Sequence, residues 1–204
     1  MDFGTRPSCA TAQAGGMPVE TAGMKSCFSI CFRLGWVLAA AVLGSCGVCR
    51  ADAEIVAHRG GCALFPENTC VAIRSCAGIA DRVEFDVQVT ADDQLVICHD
   101  DTVDRTTDGS GAVRDLTLAQ LKTFDAGVKF SPAFAGERIP TLAEALRALP
   151  PGIPVVVHCK TGSAKAILDV LRAENAMSNL CVAGGSLDFL LAVHQLAPAL
   201  ELAY

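Results

Sequence analysis

Between positions 83 and 89 the sequence alternates strictly, with Val83, Phe85, Val87 and Val89 separated by Glu84, Asp86 and Gln88. A period of two belongs to a β-strand, whose successive side chains point to opposite faces, so both carboxylates must share one face and the apolar side chains the other. Two acids side by side repel one another unless a cation stands between them, which makes Glu84 and Asp86 candidate ligands for a hard divalent ion such as Ca2+ or Mg2+. The apolar runs at 55–57 and 95–98 flank this segment, and each gives way to a histidine, His58 and His99. In α/β proteins chemistry gathers where strands end. Either histidine alone is an ordinary polar residue at a strand end; two of them beside paired acids suit general acid and base roles near neutral pH.

The chain is 51% hydrophobic and 19% charged, enough apolar content for one globular domain with a substantial core. A net charge of -6 argues against a nucleic-acid partner, because binding a polyanion needs a basic surface. Residues 1–53 read as an N-terminal extension with a signal-peptide-like segment. Met24 begins a differently composed stretch in which Lys25 and Arg33 precede an apolar run at 34–48, shorter than the roughly 20 residues of a membrane span. Ala51-Asp52-Ala53 has the small-x-small form of a cleavage site, while Leu43-Gly44-Ser45-Cys46 resembles a bacterial lipoprotein box with Cys46 as the lipidated residue. An uncleaved anchor is the third reading. All three place the protein outside the cytoplasm: periplasmic, secreted or membrane-anchored, with membrane association through the N-terminal segment.

Of 11 cysteines, Cys9, Cys27, Cys31, Cys46 and Cys49 fall in that extension, leaving Cys62, Cys70, Cys76, Cys98, Cys159 and Cys181. These six contain no paired C-x-x-C spacing, which argues against a zinc cluster and for buried thiols. Cys98 and Cys159 have the opposite strand parity to His99 and His158, so they are expected to face packing helices.

Six short motifs follow one another in order: H-R-G at His58, P-E-N-T at Pro66, E-x-D at Glu84, H-D at His99, D-R-T-T at Asp104 and P-T-L at Pro140. Together, over residues 54–204, they resemble the glycerophosphodiester phosphodiesterase family. The resemblance implies a TIM-type (β/α)8 barrel and hydrolysis of glycerophosphodiesters, small-molecule substrates, to glycerol 3-phosphate and an alcohol. It implies that one of His58 and His99 deprotonates the glycerol hydroxyl beside the phosphodiester while the other protonates the departing alcohol, through a cyclic phosphate. Arg59 and Lys160 correspond to family positions and suit phosphate binding. Glu67 and Asp100 are supporting residues, with Asp100 and Arg105 forming an ion pair that holds the following loop; a plain helix-start acid is the competing reading of Glu67. One position departs. The family has Glu-x-Lys on the fourth strand with Glu as a metal ligand, and this chain has His158-Cys159-Lys160. Parity aims His158 and Lys160 at the same face, and imidazole suits Mn2+ or Zn2+ better than Ca2+ or Mg2+.

The rest of the chain alternates. Asn68 is placed to cap a helix carrying Val71, Ala72, Cys76 and Ile79, and the turn at 91–94 is short enough for a hairpin between the second and third strands, but the resemblance implies that these strands sit in one barrel, and that placing is the one expected. Residues 101–138 form an excursion over the barrel mouth, with a capping box at Thr117 and Gln120; Thr141 and Glu144 make a second, before a helix ended by Pro150 and Pro151. A fourth strand at 154–160, a helix capped by Ser163, a fifth strand at 180–183, a helix capped by Ser186 and a sixth strand from Leu200 complete the chain, and His194 reads as surface. On this count the barrel is truncated after about its sixth strand. Two rival functions stand beside hydrolysis: a noncatalytic binding protein or inactive relative, and a phospholipase D-like enzyme acting on lipid headgroups.

Overall fold

The computed structural model describes residues 53–204. The start at Met24, the apolar run, the Cys46 box and all but the last residue of the 51–53 site lie outside the described residues. Among the described residues no helix is long and apolar enough to cross a membrane.

The strands are β1 (Val56–Ala57), β2 (Arg82–Val89), β3 (Leu95–Ile97), β4 (Val155–Cys159), β5 (Leu180–Gly184) and β6 (Glu201–Ala203), and the helices are α1 (Cys70–Ser75), α2 (Leu118–Leu121), α3 (Leu142–Ala148), α4 (Ala164–Ala173) and α5 (Leu187–Leu196). The sheet runs β1-β2-β4-β5-β6 with every neighbouring pair parallel, and helices intervene along the chain, the succession of a TIM-type barrel. β3 is the exception: it pairs antiparallel with β2, Val87 opposite Ile97 and Val89 opposite Leu95. The described residues thus supply five parallel strands, and the third strand of the sequence count lies outside that series. The short link decides this, because Asp93 at φ 58 and the hydrogen bond from Thr90 N to Gln94 O close a tight turn, whereas a parallel return needs a longer crossover.

This hairpin shapes the site. β4 occupies one edge of β2 along Val83–Val87; on the other edge β1 pairs at Arg82 and Val83 and β3 pairs from Val89 back to Val87. β1 and β3 therefore run towards one another and leave the sheet at the level of Glu84 and Asp86. Hydrogen bonds mark the meeting point, with Arg59 N donating to Glu84 Oε2 (2.7 Å) and Cys98 N to Asp86 O (3.0 Å).

Local chemistry sets the helix starts. Both capping boxes are present, and Ser163 and Ser186 cap α4 and α5. At α1 the cap is Thr69, whose hydroxyl accepts from Ala72 N, and not Asn68, which takes the left-handed conformation at φ 56. The helix also ends early, at Ser75, and Ile79 is exposed.

The other face of β2 forms the core. Val83, Phe85 and Val87 are fully buried with Ile73, Leu142, Ile167, Leu168, Leu171 and Val182, and Cys159 joins them. Leu95 and Ile97 face this core while Val96 faces a second cluster with Cys98, Val103, Val113, Leu121, Ala126 and Ile139, which anchors the 101–138 excursion. All six cysteines of the described residues are free thiols.

Candidate active site

Parallel pairing of β2 with β4 sets Asp86 opposite His158 and Glu84 opposite Val156, so the acids and the imidazole share one face. His158 Nδ1 is 3.2 Å from Asp86 Oδ1 and 4.0 Å from Glu84 Oε1, and Lys160 Nζ is 3.4 Å from Asp86 Oδ1. Glu84 is 8% and Asp86 1% exposed. Although His158 and Lys160 stand close, Asp86 Oδ1 accepts no hydrogen bond among the described residues, and one ligand atom from each of Glu84, Asp86 and His158 lies within 4.8 Å of the others. Burial pushes the Glu84 carboxyl up to about 7, opposed by the Arg59 amide and reinforced by the charge of Asp86. Burial lowers the His158 pKa, and Lys160 adds to the effect against the pull of Asp86. A buried acceptor without a donor, an under-compensated carboxylate and an imidazole held towards its neutral form make a donor set that fits a divalent cation.

The turn after β1 holds His58–Gly60, with Arg59 in the left-handed region at φ 52. Gly60 must be glycine: its φ is +74 and a Cβ there would meet Ala72 Cβ at 3.0 Å. This turn brings the Arg59 side chain back across the acids, Nη1 donating to Glu67 Oε1 (3.1 Å) and Nε standing 3.9 Å from Asp86 Oδ2 with no acceptor among the described residues. In P-E-N-T each of three residues holds a different part: Glu67 the guanidinium, Thr69 the start of α1, and Asn68 the acid. Asn68 Nδ2 donates to Asp86 Oδ2 (3.1 Å) and Asp86 N donates to Asn68 Oδ1 (3.2 Å). His58 is exposed, its Nδ1 3.8 Å from the Cys62 thiol.

His99 is placed from two sides. The buried Gln88 amide donates to the carbonyls of Cys98 (3.2 Å), His99 (3.3 Å) and Asp100 (2.6 Å), fixing the backbone that leaves β3. His99 Nδ1 lies 2.7 Å from Asp100 Oδ1. Arg105 binds Asp100 through Nε and Nη2 and Glu67 through Nη1 and Nη2. The Arg105 hydrogen bonds, with a further one from His99, hold the Asp100 carboxyl well below its usual range; burial would raise Glu67, but Arg105 and Arg59 bring it below its usual value.

The structure brings Glu84, Asp86, His158, Lys160 and Arg59 into one cluster, sets His58 and His99 at the two strand exits beside it, and links Glu67 to Asp100 through Arg105. His194 is exposed on α5. Sequence reasoning missed three things: Gln88 as the anchor of the His99 backbone, Asn68 as the partner of Asp86, and the hold of Arg105 on Glu67. Parity alone flagged Gln88, which stands on the acid face.

Residues 58–192 match the model of the glycerophosphoryl diester phosphodiesterase family. The chain is 54% identical over 91 residues to a glycerophosphodiester phosphodiesterase of Caldanaerobacter subterraneus, covering 44% of this chain and 37% of that one. It is 47% identical over 94 residues to human glycerophosphodiester phosphodiesterase 1, covering 45% of this chain and 28% of the relative. Among solved structures, an Oleispira antarctica phosphodiesterase in complex with its product sn-glycerol-3-phosphate aligns with a TM-score of 0.69 at 31% identity, over 74% of this chain and 64% of that one. A glycerophosphodiester phosphodiesterase from Agrobacterium tumefaciens aligns with a TM-score of 0.67 at 30% identity, over 73% and 65%. The chain thus spans less than half the length of these curated relatives and just under two thirds of these structures.

Proposed function

The chain belongs to the glycerophosphoryl diester phosphodiesterase family, and on that premise we propose that it hydrolyses glycerophosphodiesters to glycerol 3-phosphate and an alcohol with a divalent metal. The observation that supports the reading is the convergence of the exits of β1 and β3, each carrying a histidine, on the buried Glu84–Asp86 pair, whose donor set would hold a cation. Glu84, Asp86 and His158 would hold the ion, which when bound supplies positive charge to the phosphoryl oxygens. Arg59 and Lys160 bind the phosphate, the first through a guanidinium whose Nε has no acceptor among the described residues.

One of His58 and His99 takes the proton of the glycerol hydroxyl next to the phosphodiester, and that oxygen forms a bond to phosphorus. The bond from phosphorus to the alcohol oxygen breaks, and the other histidine gives the leaving alcohol its proton. Water then opens the cyclic phosphate to glycerol 3-phosphate. His158 tilts the metal preference from Ca2+ or Mg2+ towards Mn2+ or Zn2+. The same proposal makes residues 1–53 an export segment, which mass spectrometry of the mature N-terminus tests.

A noncatalytic reading draws on one observation: His158 and Lys160 both crowd Asp86 Oδ1, and the Lys160 ammonium would partly neutralise it without a metal. Incubating the chain with glycerophosphocholine, with each of the four metals and with chelator, separates the two. Hydrolysis predicts metal-dependent release of glycerol 3-phosphate that falls by roughly 10² to 10⁴ in His58→Ala and His99→Ala. No release with any metal, or release that survives both substitutions, contradicts it.

A further inference from the structure

We propose that Arg105 is a positioning residue that sets His99 and the Arg59 turn in one fixed relation. Its effect on turnover rests on the hydrolytic reading; its effect on the imidazole does not. A guanidinium presents five N–H donors in one plane, and here two edges of that plane are used on two different loops. Nε and Nη2 donate to Asp100 Oδ2 (2.6 Å) and Oδ1 (3.1 Å), while Nη1 and Nη2 donate to Glu67 Oε2 (2.7 Å) and Oε1 (2.7 Å). Each carboxylate has a second partner on the site side. Asp100 Oδ1 is also 2.7 Å from His99 Nδ1, and Glu67 Oε1 also accepts from Arg59 Nη1 at 3.1 Å.

The result is a continuous chain of contacts, His99 to Asp100 to Arg105 to Glu67 to Arg59, that ends at the acids through the Arg59 amide on Glu84. A half-exposed ion pair adds little to stability, so four hydrogen bonds from an arginine with 49% of its side chain exposed are a poor way to hold a fold. They are a good way to fix orientation, because two planar forks tie both carboxylates against rotation. With Asp100 Oδ1 immobilised, the neutral His99 ring keeps its proton on Nδ1 and presents Nε2 to a substrate. A lysine at position 105 could not grip both carboxylates in this way, since its ammonium is a point charge without a fork.

The test reads the His99 tautomer directly. The chain has four histidines, so nitrogen NMR of the imidazoles at about pH 8.5, above the ordinary imidazole range, can be assigned with a His99→Gln control. In the unsubstituted chain His99 is expected in the Nδ1–H form. Arg105→Ala should move it towards the Nε2–H form that free histidine prefers, Arg105→Lys should move it in the same direction by less, and turnover of glycerophosphocholine should fall by about 10²-fold in Arg105→Ala with little change in KM. If Arg105→Ala fails to fold, Arg105→Lys decides. A folded variant whose His99 tautomer is unchanged overturns the proposal, whether or not its activity drops. A tautomer shift in a chain that shows no turnover with any metal supports the positioning role and contradicts hydrolysis.

Discussion

On one face of β2, Val83, Phe85 and Val87 are fully buried and held by shape alone; on the other, Glu84, Asp86 and Gln88 are nearly as buried but must be matched atom by atom. The first face stabilises by removing apolar surface from water and filling space. On the second, the Gln88 amide nitrogen shares its two hydrogens among three carbonyls, while among the described residues Asp86 Oδ1 and Arg59 Nε make no hydrogen bond and the Glu84 carboxyl is pushed up to about 7. Buried charge left under-compensated is a cost the fold bears, and such exceptions to consistent packing concentrate where a protein binds or reacts. One strand thus separates the face that holds the molecule together from the face proposed to bind the cation.

Substitutions on the two faces should therefore fail in different ways. Phe85→Ala should destabilise by about 3 to 5 kcal/mol, through lost transfer energy and a cavity. Glu84→Gln should change stability by less than about 1 kcal/mol while weakening metal binding, since it removes a buried charge and keeps the shape. Urea unfolding of both measures this, and equal losses would erase the distinction between the faces. His158→Glu should sharpen it: adding a third anionic oxygen ligand raises affinity for Ca2+ or Mg2+ by about tenfold relative to Mn2+ or Zn2+, read by calorimetry. A drop in Ca2+ and Mg2+ affinity would remove position 158 from the ligand set.

The smallest effect is on acid stability. Arg105 holds the Asp100 carboxyl below its ordinary 3.8, so the folded state binds that proton less readily than the unfolded chain does. The stability this contributes is fully present above the ordinary carboxylate range and is lost as pH falls through the depressed folded value. Arg105→Ala should show a shallower loss of urea midpoint as pH falls below about 4, and an unchanged slope there would mean the pair is too exposed to matter.

Much of this was legible in the sequence because alternation and capping are local. The face shared by Glu84 and Asp86, the cap residues Thr117, Thr141, Ser163 and Ser186, and the inward parity of Cys159 follow from periods of two and from short side-chain reach. The turn at 91–94 also carries a hairpin signal, which the expectation drawn from the resemblance sets aside and the antiparallel pairing of β2 with β3 restores. What sequence could not show was the consequence of antiparallel pairing, which turns the exit of β3, with His99, back along β2 towards the exit of β1, with His58. Contacts between distant loops were hidden for the same reason: the grip of Arg105 on Glu67 and of Asn68 on Asp86 depends on register across the sheet. Asn68 was misread as a cap because its short amide suits either use, and the tertiary partner prevailed.

The central claim is that the polar face of β2 is a metal site and not a self-neutralised cluster of charges. Calorimetric titration of Mn2+ into the chain and into Asp86→Asn tests it most directly, because Asp86 is the most buried of the three proposed ligands and the one that His158 and Lys160 crowd. Binding of one ion by the chain, abolished by Asp86→Asn in a folded variant, is the predicted result. No binding by the chain, or equal binding by both, would contradict it.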